Sequence, residues 1–322
     1  GEPPAPPTWS FQVPNGLPGA PPVPEDNPMS AEKVALGHQL FMDPRLSVDG
    51  SRSCYSCHVN ERGGADGRKL ALGAGDKPLT RNTPTIWNVA YHPELYWDGR
   101  APSLEAQATG AWKGGNMGVG DGLDAKAAEL GALPEYKAAF AQVFGLAEGE
   151  AVTPGHVVKA LSAYERTLLC GDGDAPLSEA AARGKATFES AGCVKCHSGA
   201  NYTDDAYHDV GLGFAKGKPV PDADPGRGKH SKAPADDGKF RTPTLRNVAA
   251  TAPYFHDGRA ETLAEAVKYM ASGGAPKAPN KDPLLEPANL SDEQRADVVA
   301  FLETLTCGQL EVLGDPKPVA AD

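Results

Sequence analysis

Six cysteines indicate which chemistry this chain of 322 residues can carry. Four of them fall in two short motifs, CYSCH at 54–58 and CVKCH at 193–197. The pattern C-x-x-C-H is the attachment signature of c-type haem, in which the two thiols bind the porphyrin and the histidine ligates the iron. The candidate cofactor-binding residues are therefore Cys54, Cys57, His58, Cys193, Cys196 and His197.

Paired cysteines have two other common uses, and neither accounts for both motifs. A thioredoxin-like redox pair does not require the histidine that follows. A structural zinc site would need four converging thiolates, and it would leave His58 and His197 unexplained. Two complete motifs favour two covalently bound c-type haems.

A second stretch of sequence also occurs twice. RNTPTIWNVAYHPELYWDGRA at 81–101 resembles RTPTLRNVAATAPYFHDGRA at 241–260, and we name these the first and second repeated segments. Thr83 matches Thr242, an offset of 159 residues, whereas the haem motifs are 139 residues apart. The loop between motif and segment is therefore 20 residues longer in the second copy.

Helix signals flank both motifs, whereas strand signals are few. Ser30 and Ser178 can cap helices upstream of the motifs, and closing helices begin after Thr153 and Ser291. This order predicts an all-α fold of two cytochrome c-like domains related by internal duplication, with long loops. The predicted parts are an extended proline-rich arm at 1–28, an N-terminal domain at 29–169 and a C-terminal domain at 170–322.

Composition narrows the range of partners. The chain has 31 Lys and Arg against 42 Asp and Glu, so its net charge is −11. Such acidity argues against nucleic-acid binding and favours basic partners. No run of eighteen apolar residues is present, so no membrane span is expected.

Together, the haem motifs and the repeated segments (T-P-T-x-x-N-V-A, then [WH]-D-G-R) resemble the bacterial di-haem cytochrome c peroxidase family, which includes the MauG-like enzymes. The resemblance covers nearly all of residues 30–310 and implies a cytochrome-c peroxidase. It implies that hydrogen peroxide meets the N-terminal haem. The C-terminal haem would collect electrons from a small donor protein, a cytochrome c or a cupredoxin. A periplasmic location and a homodimer are further expectations.

The two copies differ where a second iron ligand would stand. The second copy has Met270 on the helix after HDGR, and the matching position in the first copy is Ala111. A thioether favours ferrous iron and raises the haem potential. The resemblance implies that Met270 is the sixth ligand of the electron-transfer haem, whereas MauG-like members carry tyrosine there.

The first haem is expected to rest with an open face. Residues 59–81 contain no His, Met or Cys, and the family's loop histidine aligns near Ala74. The family peroxidases use a Glu before a Met as the distal acid–base group, and here Asn116 takes that place. An amide cannot act as a base, so Glu94, His92 and Glu105 are the candidate substitutes. His92 is expected in a loop or at the surface.

Other site residues follow from the resemblance. Trp97, which stands where the second copy has His256, would relay electrons between the haems. Guanidinium groups suit carboxylates, so arginines are expected to pair with haem propionates. The family also binds calcium between its domains. The predicted propionate partners are Arg246 and Arg259, and the predicted calcium ligands are Asn82, Thr251 and Pro253.

Two other functions remain open, and two cysteines remain unassigned. A MauG-like enzyme would oxidise a residue of a partner protein, and a plain electron carrier would need two six-coordinate irons. Cys170 and Cys307 each end a closing helix and precede a glycine. Haem attachment implies an oxidising compartment, which favours a disulfide between them. That bond requires the two helix ends to meet near the pseudo-symmetry axis.

Overall fold

A computed structural model describes residues 9–173 and 175–307 of the chain. Helices dominate this part, and four two-residue strands form two antiparallel pairs, β1 with β4 and β2 with β3. The described chain is therefore mainly helical rather than all-α, because the longer loop of the second half pairs with itself and with the second repeated segment. The elements are α1 Ala31–Met42, α2 Leu104–Lys113, α3 Leu123–Ala132, α4 Pro134–Phe144, α5 Pro154–Glu165, α6 Glu179–Ser190, β1 Tyr207–His208, β2 Phe214–Ala215, β3 Lys218–Pro219, α7 Gly228–Ser231, β4 Phe240–Arg241, α8 Leu263–Ala271 and α9 Asp292–Glu303.

The helix starts lie where local sequence predicts them. The Ser30 hydroxyl accepts a hydrogen bond from the backbone of Lys33, and Ser178 caps α6 in the same way. Thr153 and Ser291 begin α5 and α9 with capping boxes. Each cap satisfies an amide that has no partner within its helix, and its loss typically costs about 1 kcal/mol.

Each half is built on a crossed pair of helices. In the first half, α1 packs on α5, and the rings of Phe41 and Tyr164 are 5.0 Å apart. In the second half, α6 packs on α9, and the rings of Phe188 and Phe301 are 5.4 Å apart. These aromatic contacts lie in two separate hydrophobic cores.

A glycine permits the close helix crossing in both halves. A side chain at Gly37 would clash with the carbonyl of Ala160, and one at Gly184 would clash with the carbonyl of Asp297. Glycine is required at such positions because the two backbones touch. The two contacts also align the closing helices, with Ala160 of α5 matching Asp297 of α9.

A disulfide joins the ends of the two halves. Cys170 and Cys307 are bonded with their Cα atoms 5.4 Å apart, which confirms the predicted pairing. The backbone N–H of Cys170 donates to Asn88 Oδ1 at 2.7 Å, and that of Cys307 donates to Asn247 Oδ1 at 2.9 Å. Asn88 and Asn247 hold the same place in the two repeated segments, so both segments are fixed to the closing helices in the same way.

The described part of the proline-rich segment lies along the first half without helix. The N–H of Asp172 donates to Asn15 O at 2.8 Å, and Tyr91 donates its hydroxyl proton to Gly19 O. Asn27 is fully buried and donates to Glu105 at 2.8 Å. The segment is therefore tied to the folded domain at both of its ends. Among the residues described, no helix is long and apolar enough to cross a membrane.

Candidate active site

The first haem motif ends in a histidine whose ring is held by the backbone. His58 Nδ1 lies 2.9 Å from Gly64 O, which makes Nδ1 the protonated nitrogen. The lone pair that can bind a metal is then on Nε2. Burial lowers the pKa of His58. A neutral imidazole oriented by a carbonyl is the form that ligates a metal.

The second motif repeats this arrangement. His197 Nδ1 lies 3.0 Å from Tyr202 O, and burial lowers the pKa of the ring. The rings of Phe188 and His197 are 6.5 Å apart, so an apolar core lies beside this histidine. Both motifs therefore present an imidazole nitrogen in the form that suits axial ligation of haem iron.

A large cavity lies in front of His58. Its volume is about 940 Å³, which is within the usual range of ligand sites of roughly 300–1,000 Å³. Cys54, Cys57 and His58 line one part of it. The cavity continues to the interface between the halves, where the longer loop of the second half contributes Leu212 and Asp224. Its size and thiol lining fit a covalently attached haem.

The wall contributed by α2 and the turn after it includes small and amide side chains beside Trp112. Gln107, Ala111 and Asn116 all line the cavity, and Ala111 is the counterpart of Met270. The N–H of Ala74 donates to Asn116 O at 3.0 Å, which fixes the loop after the haem motif against the end of α2. A methyl group cannot bind iron, so Ala111 leaves its position without a ligand.

Trp97 and His256 meet at the interface between the halves. The Trp97 indole donates to Asn82 O at 2.9 Å, and the N–H of Asn82 donates to His256 O at 2.7 Å. The N–H of Arg241 donates to Trp97 O at 2.8 Å. Each repeated segment is therefore hydrogen-bonded to the other across the cavity that both line.

His256 of the second repeated segment stacks at this interface on Phe240, the residue that precedes the segment. The rings of Phe240 and His256 are 3.7 Å apart and nearly parallel. Arg81 stands over Phe240 and binds both carboxylate oxygens of Asp224, at 2.6 and 2.9 Å. Burial lowers the pKa of His256 to about 4, so its ring is neutral at physiological pH.

Comparison with known proteins places these sites in a family. The profile described as di-haem cytochrome c peroxidase matches residues 31–187, and the profile described as cytochrome c matches residues 181–306. Cytochrome-c peroxidase IdrP1 of Denitromonas iodatirespirans is 39% identical over 92% of this chain and 87% of its own length. The chain belongs to the di-haem cytochrome c peroxidase family.

Other members are similar over most of the chain. Methylamine utilization protein MauG of Methylorubrum extorquens is 38% identical over 88% of this chain and 81% of its own. The crystal structure of a MauG-like protein associated with microbial copper homeostasis is 34% identical, covers 94% of this chain and 97% of its own, and superimposes with a TM-score of 0.86. The recognition of a haem-dependent peroxidase family from the motifs is confirmed, and the family implies two c-type haems.

Some of the predicted site residues line the cavity, and Met270 lies elsewhere, in the second half. The cavity is lined by Trp97, Asn116 and Arg259 as well as by the first haem motif. Met270 lies in the last turn of α8, half-buried, and α8 packs against α9. Its role as an iron ligand remains a prediction.

Arg246 has protein partners that the sequence did not indicate. Its guanidinium binds Asp172 at 2.6 Å and donates to Ala200 O at 2.7 and 3.0 Å. The group is buried and does not line the cavity. Arg259 lines the cavity but also binds Asp257 at 2.5 Å. Their pairing with propionates therefore stays a prediction, with Arg259 the better placed.

Glu94 and His92, which precede Trp97, bond to the second half and do not line the cavity. Tyr207 donates to Glu94 Oε2 at 2.5 Å, and Arg227 donates to the same oxygen at 3.0 Å. The hydrogen bond from Tyr207 lowers the pKa of Glu94. His92 lies in a loop, as expected, but its side chain is 3% exposed and 2.6 Å from Asp205, so it is not at the surface. Its partner is 113 positions away, which local sequence cannot indicate.

The predicted calcium ligands lie in segments that face each other. Asn82 is buried, and its side-chain amide donates a hydrogen bond to Arg68 O at 2.8 Å. Its backbone N–H donates to His256 O. Thr251 lies against Gly63 of the first half. Carbonyl and amide oxygens are the ligands calcium prefers. The site remains a prediction.

Gln107 is a cavity residue that the sequence reading missed. It lies one helical turn before Ala111 on α2, and both line the cavity. Residues four apart share a helix face, so the position of Ala111 could have indicated it. Its carboxamide supplies a second polar group beside Asn116.

Proposed function

We propose that the chain reduces hydrogen peroxide to water, with peroxide binding in front of His58 and electrons entering through the haem attached to Cys193 and Cys196. The observation that carries this division is the pair of Ala111 and Met270. Ala111 lines the first cavity, where it leaves a face for substrate, and Met270 offers a thioether in the second half. Haem at the first motif would supply the iron that accepts the peroxide oxygen.

The chain's own groups orient peroxide rather than deprotonate it. The carboxamides of Gln107 and Asn116 both line the cavity and can hydrogen-bond the two oxygens. Neither group accepts a proton at neutral pH. Reduction of H₂O₂ by two electrons and two protons therefore draws its protons from water or from another group, and turnover is slower than with a carboxyl at position 116.

We infer that electrons pass from the second haem site to the first through Trp97. Its indole lies on the cavity wall, and its backbone and side chain bond to Arg241 and Asn82 on either side of the interface. We infer that a small redox protein, a cytochrome c or a cupredoxin, supplies them. The net charge of −11 favours a donor with a basic docking face. A periplasmic location and a homodimer belong to the same proposal.

An open first haem in the oxidised protein is the central feature. Besides His58, the imidazole and thioether side chains on the cavity wall are Met117, His230 and His256. His230 is paired with Asp98 at 3.0 Å, and His256 is stacked on Phe240. Met117 is buried in the core at the end of α2, which leaves it as the group to test.

The proposal is tested by adding cyanide, and then peroxide, to the fully oxidised protein. A high-spin or water-ligated iron that takes up cyanide without prior reduction supports it. Two low-spin haems, with cyanide binding only after one electron is added, would refute the open site. Met117→Leu then shows whether that thioether is the hidden ligand.

A second function is favoured by Asn116 and by the open first haem, and Met270 argues against it. Without a carboxyl at position 116, turnover of peroxide with a donor protein is slow, and the chain would instead take electrons from a residue of a partner protein, as in a MauG-like enzyme. Peroxide is then consumed without the donor protein, and oxidised amino acids accumulate. If one donor is oxidised for each electron used, the peroxidase is supported instead. A plain electron carrier would consume no peroxide.

We further infer that the halves arose by duplication of one haem domain. Asn88 and Asn247 both have positive φ, at 61° and 62°, and both bind the backbone of the disulfide cysteines. Gly37 and Gly184 make the same helix crossing. Matching contacts of this kind at equivalent positions support a common origin.

A further inference from the structure

Glu165 is a buried carboxyl group on the wall of the first cavity. It is the last residue of α5, 7% exposed, and lines the cavity together with Cys54 and Leu161. Its Oε2 atom has no hydrogen-bond partner among the described residues. Buried polar atoms are normally paired, so an unpaired carboxyl oxygen beside a cofactor cavity calls for an explanation.

The second half has no acid at this position. The glycine contacts align Ala160 with Asp297, and the disulfide aligns Cys170 with Cys307. The same register places Glu165 opposite Leu302, which is buried in the second core. A carboxyl at this register therefore occurs in the first half and not in the second, so it is not part of the shared scaffold.

The surroundings of Glu165 favour its protonated form. Burial raises the pKa of Glu165 to about 8. Arg166 opposes this shift and Glu105 reinforces it. The Arg166 guanidinium is directed to Glu105, with its Nη1 2.9 Å from Oε1, so the cation is already paired.

Among the described residues, Arg166 and Glu105 are the charges that act on Glu165, and the other elements packed on α5 add none. On α1, Lys33 bonds to Asn27 at 3.0 Å and to Pro28 O, and the His38 ring lies tilted against the Tyr164 ring. The buried residues of α3 are Ala127 and Leu130. Cys54 titrates only before haem attachment, since its sulfur becomes a thioether.

We propose that Glu165 is a proton-binding site coupled to the oxidation state of the first haem: when that haem gains one electron, the carboxylate takes up one proton. The inference rests on haem attachment at Cys54 and Cys57, but it does not depend on peroxide turnover. The ferric centre carries one more positive charge than the ferrous centre. In a medium of low dielectric constant this charge favours the ionised carboxylate, and its loss on reduction favours the acid.

A proton bound at Glu165 could also serve the proposed reaction. Peroxide reduction requires protons as well as electrons, and the amides of Gln107 and Asn116 cannot supply them. A proton taken up with the first electron keeps the net charge of the cavity constant. The proton is then held on the wall of the cavity in which the proposed substrate binds.

The test is a redox titration of the holoprotein as a function of pH. The potential of the first haem is expected to fall as pH rises through the region around 8. The limiting slope is ~59 mV per pH unit, the equivalent of a tenfold change in proton activity for one electron. Glu165→Gln keeps the shape of the side chain without the proton, and it should flatten this slope. Glu165→Leu installs the residue of the second half and should do the same.

A vibrational measurement on the unaltered protein keeps the test independent of how the variants fold. The infrared difference spectrum between reduced and oxidised protein should show the carbonyl band of a protonated carboxyl gained on reduction. That band should shift in D₂O. The second haem is the internal control, since Leu302 replaces the acid there and its potential should be the same in all three proteins. If Glu165→Gln retains the full slope and the band, another group binds the proton and the proposal is wrong.

Discussion

The indole of Trp97 and the backbone of His256 are both hydrogen-bonded to the backbone of Asn82, at 2.9 and 2.7 Å. Trp97 and His256 hold the same place in the two repeated segments. At this joint the first repeated segment uses an aromatic side chain and the second uses its main chain, and the backbone of one residue, Asn82, bonds to both. This joint links the halves through a redox-active side chain on the cavity wall.

Trp97→Phe should therefore slow electron transfer between the haems. Phenylalanine is harder to oxidise than tryptophan, and the substitution also removes the bond to Asn82 O, typically worth about 1 kcal/mol. Potentials of both haems should stay unchanged. Rapid-reduction kinetics, following each haem by its spectrum, measure the effect. Trp87→Phe is the matched control because Trp87 is buried with its indole nitrogen unpaired. Equal loss in both variants would point to folding rather than relay.

Local signals in the sequence predict much of this scaffold. Ser30, Thr153, Ser178 and Ser291 begin helices because a cap depends on residues three positions away. The disulfide was predicted because the closing helices end alike. By contrast, the contacts of Glu94 involve residues more than a hundred positions away.

Local sequence also does not show the environment of Glu165, whose counterpart in the second half is Leu302. The offset of 137 between Cys170 and Cys307 already pairs Glu165 with Leu302, but only the structure shows that Glu165 is buried on the cavity wall. Likewise, the His92 side chain pairs with Asp205, which lies in the loop between the second haem motif and the second repeated segment. Chain topology, rather than local propensity, determines these sites.

Met270→His should keep the second iron six-coordinate and lower its potential markedly. Imidazole stabilises ferric iron more than a thioether does. Spectroelectrochemical titration measures the shift, and Met117→Leu, in the first half, should leave the second haem unaffected. An unchanged potential, or native spectra without a sulfur ligand, would show that Met270 is a core residue only.

Removal of calcium should weaken electron transfer between the halves. The proposed ligands, Asn82, Thr251 and Pro253, come from both repeated segments, and Asn82 also holds the indole of Trp97. A chelator should therefore lower the inter-haem rate, and calcium should restore it better than magnesium, which demands a smaller octahedral site. Asn82→Ala should mimic the chelated protein. Metal analysis that finds no calcium in active protein would contradict the site.

Loss of the disulfide should destabilise the protein without altering either haem. The bond closes a loop of 137 residues, and removal of a native disulfide typically costs about 2–5 kcal/mol. Denaturant unfolding of the Cys170→Ser/Cys307→Ser variant measures the loss. The bonds from Asn88 and Asn247 reach backbone amides, so they persist in the variant. Thiol titration of the unfolded, unreduced protein should detect no free thiol, and two free thiols would count against the bond.

Asn116→Glu should accelerate the reaction of the first haem with peroxide. Asn116 lines the cavity next to Met117, and its carbonyl oxygen accepts a hydrogen bond from the N–H of Ala74 at 3.0 Å. The backbone at this position is therefore fixed, and a carboxyl group placed there would be held at the cavity wall. A positioned acid–base group contributes about 10²- to 10⁴-fold to such a proton transfer. Asn116→Gln is the matched control, because it has the length of glutamate but cannot exchange a proton. Stopped-flow mixing of oxidised protein with peroxide measures the rate. The gain should appear as pH rises through the ordinary range of a glutamate, since the carboxylate form takes the first proton. Equal rates for the two variants would show that position 116 does not face the bound peroxide, and Gln107→Glu would then test the other amide on the same wall.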